Sequence, residues 1–269
     1  MSGVNYAEKA KELRRTILQT LHDANGSFSG GSLSSIDLLT VLFHGIMRLN
    51  PVQPKAQDRD MFILSKGHCS SALYAVLTSA GMMPAEALNT YGRDGSVLGV
   101  HPKKDSYPGI EVSSGSLGHG LALASGSALA AKILHNDAKV YVLMGDGECN
   151  EGSVWENAAF ASRQKLNNLV VMIDRNRLQG CGRDQEILNY GDIAEKFRTF
   201  GFQAVDIDGH DYHQIETALR FAVAAKEKPT AIVAHTVKGK GISFMEDRLE
   251  WHYKSPNNEQ LSQAMEELK

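Results

Sequence analysis

Four short runs in the second half of the chain, 139–144, 169–173, 202–207 and 230–237, are rich in apolar and β-branched residues. Each is bounded by polar or glycine-containing breaks. Runs of this length are too short for buried helices and fit strands covered on both faces. Between them lie stretches of helical spacing, 151–166 and 211–226, the second opened by Asp211 as a cap. Strands alternating with helices return in the same direction, because a parallel neighbour needs a crossover. The expected fold is therefore α/β: a doubly wound, mainly parallel sheet with helices on both faces.

The first half fits this frame. Ala7, Ala10, Leu13, Ile17 and Leu21 recur at three- and four-residue steps, predicting an amphipathic opening helix. A Gly/Ser-rich loop over 25–35 leads to a second helix over 36–48, and a polar loop over 50–60 to a short apolar run over 61–64. That run ends in Ser65-Lys66-Gly67-His68, and a helix over 70–80 follows. Glycines and prolines without periodicity mark 91–115 as a long functional loop. No break in composition or internal repeat divides the chain, so residues 1–269 read as one domain.

Composition excludes several classes. With 42% hydrophobic and 22% charged residues, the chain is neither disordered nor fibrous. A net charge of −3 provides no basic face for nucleic acid. Cys69, Cys149 and Cys181 lack the spacing of a disulfide framework or a zinc cluster. The apolar stretch 121–134 holds Ser125 and Ser127 and is too short to span a bilayer, so no membrane association is expected. The opening residues carry no apolar core of a signal peptide, and the cytoplasm is the expected location.

In open parallel sheets, ligands bind beyond the carboxyl ends of strands. Gly145-Asp146-Gly147 follows one predicted strand there and Asp174-Arg175-Asn176 follows the next. The glycines let backbone N–H groups approach an anion, and Asp146 offers a carboxylate to a metal. Asn176 offers an amide oxygen, and a carbonyl just after it a third ligand. Three such ligands leave three positions of an octahedron for phosphate oxygens and water, the arrangement Mg²⁺ favours. The plainer alternative is that Gly-Asp-Gly merely turns a strand into a helix. The run Asp206-Ile207-Asp208-Gly209-His210-Asp211 lacks the order of a Ca²⁺ loop and reads as a turn plus helix cap.

Asn176 follows Asp146 by 30 positions, with a helix and a strand between. This resembles the thiamine diphosphate fingerprint, Gly-Asp-Gly followed about thirty residues later by Asn. The chain further resembles, nearly end to end, the amino-terminal part of transketolase in FILSKGH (62–68), GVHP (99–102), EVSSGSLGHG (111–120), GDGECNEGSVWE (145–156) and TVKGKGISF…WHYKSP (236–256). The resemblance implies thiamine diphosphate and Mg²⁺, with Ca²⁺ or Mn²⁺ as substitutes. It assigns the metal to Asp146, Asn176 and the Leu178 carbonyl. It places Gly147, His68 and His252 near the diphosphate, with Asn176, Gly115 and Leu117 also against the cofactor. His101 and His68 are the implied catalytic residues, and Glu151 lies near a subunit interface.

Complete transketolases are more than twice as long. The expectation is thus the first subunit of a split enzyme, with pyrimidine-binding and carboxy-terminal domains on another chain. That partner would supply the activating Glu in an α2β2 assembly, and the reaction would move a two-carbon ketol unit between small molecules. Two positions depart from the family. Phe28 stands where an active-site His is expected, and Gly180 replaces apolar bulk, leaving room for a larger group or a different cofactor pose. His119 stands where Gln is common. Two alternatives stay open: acyl transfer from a 2-oxo acid such as pyruvate, and a regulatory subunit without independent activity.

Overall fold

Five apolar runs pair as parallel strands, β1 (Met61–Leu64), β2 (Val140–Gly145), β3 (Leu169–Arg175), β4 (Gln203–Asp208) and β5 (Thr230–His235), in the spatial order β1-β2-β3-β5-β4. This computed structural model describes residues 3–269 apart from Lys55, Gln57 and Tyr190. The register sets Met61 beside Val140, Val140 beside Leu169, and Val170 beside Thr230. The carboxyl ends therefore share one rim. Successive side chains point to opposite faces of the sheet. Phe62, Leu64, Tyr141, Leu143, Val170, Met172 and Ile232 enter one core. Ile63, Val140, Val142, Leu169, Val171, Ile173 and Val233 enter the other.

Helices α1 (Tyr6–Asp23), α2 (Ser29–Val41), α3 (Ser70–Ser79) and α8 (Tyr212–Val223) cover the first core. Helices α4 (Gly120–Ile133), α5 (Gly152–Arg163) and α7 (Ile193–Thr199) cover the second. A short turn, α6 (Asp184–Ile187), precedes α7, and α9 (Asn258–Glu267) packs on α1. The apolar stripe of α1 is buried through Ala10, Leu13, Ile17 and Leu21, and Asn5 caps it by accepting from the Glu8 N–H at 3.2 Å. No helix among the described residues is long and apolar enough to cross a membrane.

Two readings need correction. The segment expected as a Gly/Ser loop over 25–35 is helical from Ser29, and every residue of α2 is buried. Small side chains are what this helix requires: a Cβ on Gly31 would lie 2.8 Å from the Cys69 sulfur. Ser35 satisfies its buried hydroxyl by donating to the Gly31 carbonyl at 2.9 Å. The helix expected over 36–48 ends instead in a wide turn over Leu42–Ile46. Helices α7 and α9 lie outside the elements expected from the sequence, although α9 carries a capping box between Asn257 and Gln260.

Candidate active site

A cavity of about 550 Å³ opens at the carboxyl rim between the ends of β1, β2, β3 and β5. Asp146, Gly147, Asn176, Leu178, His68, His252, Gly115 and Leu117 all line it, as do Phe28, Gly180 and Glu151. His101 stands just outside, its ring 3.2 Å from where a Cβ on Gly115 would sit. Segments far apart in the chain thus converge because four parallel strands end together.

In one corner the Asp146 carboxylate accepts from the Gly147 N–H at 2.8 Å and the Arg177 N–H at 2.5 Å. The second bond holds Arg177 in the left-handed region, φ 63°, which a non-glycine residue adopts at a cost. Burial, with Asp174 behind it, raises the Asp146 pKa to about 6. Asn176 donates its amide nitrogen to Asp174 at 3.1 Å and to the Ser34 hydroxyl at 3.3 Å. Its Oδ1, which accepts from the Leu178 N–H at 3.1 Å, is thereby turned the other way. The Leu178 carbonyl accepts from Lys238 Nζ at 2.9 Å.

Asp174 is the buried hub of this corner. It accepts from Lys66, from Ser34 at 2.6 Å, from Thr236 and from Asn176. Burial works to raise its carboxyl, but the Lys66 ammonium prevails and holds it below the ordinary carboxylate range. Lys66 is correspondingly raised, Asp174 outweighing desolvation. Lys238, 2% exposed, has no carboxylate partner among the described residues. Burial and the charge on Lys66 lower it to about 8.

Lys238 also lies 2.9 Å from His252 Nδ1. An ammonium has only donors, so this nitrogen accepts and the proton sits on Nε2. Burial, then Lys238 and His68, lower His252 to about 3; burial, then Lys66 and Lys238, do the same for His68. Burial, then His68, also lower His101. The imidazoles are neutral at physiological pH. They surround the Phe28 ring, whose centroid lies 5.2 Å from His68, 5.3 Å from His252 and 6.2 Å from His101. The room expected beside Gly180 is already filled: a Cβ there would lie 2.7 Å from the Tyr253 hydroxyl and 3.1 Å from His252 Nε2.

The donor set suits a Mg²⁺-bound diphosphate. Among the described residues, no group of three or more His, Cys, Asp or Glu side chains is placed to hold a metal by itself. One carboxylate, one oriented amide oxygen and one carbonyl leave the remaining ligands to a phosphate-bearing molecule. Lys238 supplies positive charge beside them, and the buried Gln179 amide nitrogen has no hydrogen-bond partner among the described residues. Lys66, Asp174, Gln179 and Lys238 escaped the reading of the sequence as site residues. The two lysines lie inside the family-like runs SKGH and TVKGKG.

A family described as transketolase, thiamine diphosphate binding domain, matches residues 6–268. An apulose-4-phosphate transketolase subunit of Phocaeicola vulgatus is 40% identical over 260 residues, which cover 97% of this chain and 92% of that one. A 6-deoxy-6-sulfo-D-fructose transketolase subunit of a Clostridium species is 37% identical over 98% of this chain and 96% of its own. The solved transketolase of Leishmania mexicana superposes with a TM-score of 0.93 at 28% identity, over 98% of this chain. This chain spans 41% of the length of that longer polypeptide. Fold and sequence agree: the chain belongs to the transketolase family, as its thiamine diphosphate-binding part.

Proposed function

We propose that this chain is the cofactor-binding component of a cytoplasmic, two-chain transketolase. The complex would move a two-carbon ketol unit from a ketose or ketose phosphate to an aldehyde. The observation that carries this reading is the corner where Asp146, Asn176, Leu178 and Lys238 line one cavity, the Leu178 carbonyl accepting from Lys238. Asp146, Asn176 and Leu178 would hold Mg²⁺, for which Ca²⁺ or Mn²⁺ can substitute. Gly147, His68 and His252 would hold the diphosphate, with Gly115 and Leu117 against the rest of the cofactor. Thiamine diphosphate, when bound, supplies the carbanion chemistry that breaks a C–C bond beside a ketone. The chain's own part is to anchor, orient and donate. His252 presents an Nε2 proton, His68 stays neutral, and His101 stands at the mouth where substrate enters.

Residues 1–269 form one diphosphate-binding domain in this reading, and the pyrimidine pocket with its activating Glu lies on a partner chain in an α2β2 complex. The relatives of this length, named as transketolase subunits, support a partner, as does the exposed Glu151 at the lip of the cavity. Their names also suggest donors, ketoses bearing a phosphate or a sulfonate. The test combines the purified chain with its partner, thiamine diphosphate, Mg²⁺, such a ketose and an aldehyde acceptor. Ketol transfer by the pair and none by either chain alone is expected. Turnover by this chain alone, or none by the pair, refutes the reading. One observation favours acyl transfer from a 2-oxo acid instead, the apolar Phe28 ring among the histidines; CO₂ release from pyruvate separates the two.

A further inference from the structure

The loop between β4 and α8, read from sequence as a turn and cap, does more than turn. Gly209 lets it lie against the end of β5, where a Cβ would sit 2.5 Å from Thr236 and 3.1 Å from Ala234. The His210 ring is thereby held inward. One ring nitrogen, Nδ1, lies 2.7 Å from the buried carboxylate of Asp37. The other, Nε2, lies 2.8 Å from the backbone N–H of Val237. A backbone N–H can only donate, so Nε2 accepts and the ring proton sits on Nδ1, facing Asp37.

Asp37 is 2% exposed and gathers four donors. Arg14 gives two at 3.0 and 2.7 Å, the Tyr212 hydroxyl one at 2.9 Å, and His210 the fourth. Arg14 has a further N–H, Nε, which donates to the Lys240 carbonyl at 2.9 Å. The segment 237–240 is thus gripped at both ends from one carboxylate, at Val237 through His210 and at Lys240 through Arg14. Between the grips stands Lys238, whose ammonium reaches the Leu178 carbonyl and His252.

We propose that His210, through the hydrogen bond its Nε2 accepts from the Val237 N–H, is the positioning residue that sets where the Lys238 ammonium stands, with Asp37 fixing its tautomer from behind. This rests on the reading of the cavity as a thiamine diphosphate site, because Lys238 is a buried cation there without a carboxylate partner among the described residues. Neither Asp37 nor His210 lines the cavity. They act through the backbone that carries Lys238.

Two substitutions at His210 divide its two bonds. Gln extends far enough to replace the Nε2 acceptor, so His210→Gln keeps the grip on Val237 and loses the donor to Asp37. Asn replaces the Nδ1 donor, so His210→Asn keeps Asp37 satisfied and frees Val237. Amide hydrogen exchange on the full chain reads the grip without cofactor: Val237 should exchange as in wild type in the Gln variant and markedly faster in the Asn variant. Calorimetry of thiamine diphosphate with Mg²⁺ on the two-chain complex reads the consequence. We expect affinity within about threefold of wild type for Gln and about tenfold weaker for Asn, the scale of one misplaced charge-assisted hydrogen bond. A merely structural role for His210 would weaken both variants alike. Equal affinities in all three proteins, or equal losses in both variants, overturn the positioning role while leaving the cofactor site standing. A wild-type complex that does not bind thiamine diphosphate refutes the functional reading, and the proposal with it.

Discussion

Asp146→Asn separates what the site costs the empty protein from what it offers a ligand. Burial and the nearby Asp174 raise the Asp146 pKa from 3.8 to about 6, a difference of about 3 kcal/mol between protonation states. The folded value lies above the unfolded one. This group's contribution to stability is therefore fully present below pH 3.8 and is lost as pH rises through about 6. At pH 8 the cation-free chain bears the whole cost of a buried charge. The asparagine removes that charge but leaves either the Gly147 or the Arg177 N–H without an oxygen, a loss of about 1–3 kcal/mol. The cation-free variant should thus range from unchanged to about 2 kcal/mol more stable than wild type at pH 8, as the difference between those two terms. By pH 5 the folded wild type is largely protonated and about half of the cost is gone, so the advantage should shrink by about 1.5 kcal/mol. With Mg²⁺ and thiamine diphosphate the order inverts, since the variant lacks the anionic ligand, and affinity should fall roughly 100-fold. Urea unfolding at the two pH values, with calorimetry of the assembled complex, measures both halves. A variant more than about 2 kcal/mol less stable than wild type at pH 8 contradicts the cost assigned to the buried charge. Cofactor affinity unchanged by the substitution contradicts the metal assignment.

Lys66→Met leaves Asp174 charged, buried and without its cation, and should destabilise the chain by about 3–5 kcal/mol in urea unfolding; a loss below about 1 kcal/mol would show that the pair is dispensable. Gly180→Ala places a methyl against the Tyr253 hydroxyl and His252 Nε2. Tyr253 is 65% exposed and free to yield, so stability should hardly change while cofactor affinity falls severalfold by calorimetry. Phe28→His puts a donor among His68, His101 and His252 and should raise kcat/KM on xylulose 5-phosphate at least tenfold, toward the about 10²–10⁴ typical of acid–base help. An unchanged rate in the two-chain assay would show that Phe28 only packs.

What could be read from the sequence was whatever local chemistry decides. β-branched runs such as Leu169–Ile173 mark strands because their length and flanks allow little else, and Asp146 and Asn176 are conspicuous because both follow such runs. The start of α2 was hidden. Gly30-Gly31-Ser32 reads as a loop by propensity, and it is helical because it is buried against Cys69 with the Ser35 hydroxyl returned to the backbone. The buried charges were hidden for a related reason. Nothing in Ser-Lys-Gly-His announces that Lys66 ends 1% exposed against Asp174, 108 residues away. The gathering of three histidines about Phe28 likewise depends on segments from four parts of the chain.

The strand order has a consequence for how the molecule comes into being. β5 is the last strand to be synthesised, yet it lies between β3 and β4 rather than at an edge. Until residues 230–235 arrive, β4 has no neighbour in the sheet and β3 is bonded on one side only. The residues that leave β5 are the ones that finish the site, Thr236 on Asp174 and Lys238 on Leu178 and His252. Closing the gap and assembling the pocket are therefore one late, long-range step, of the kind that slows folding because loop closure precedes its reward. A nascent or truncated chain lacking that strand has neither a continuous sheet nor Lys238 in the cavity, so on the proposed reading ligand capture would double as a readout of complete folding.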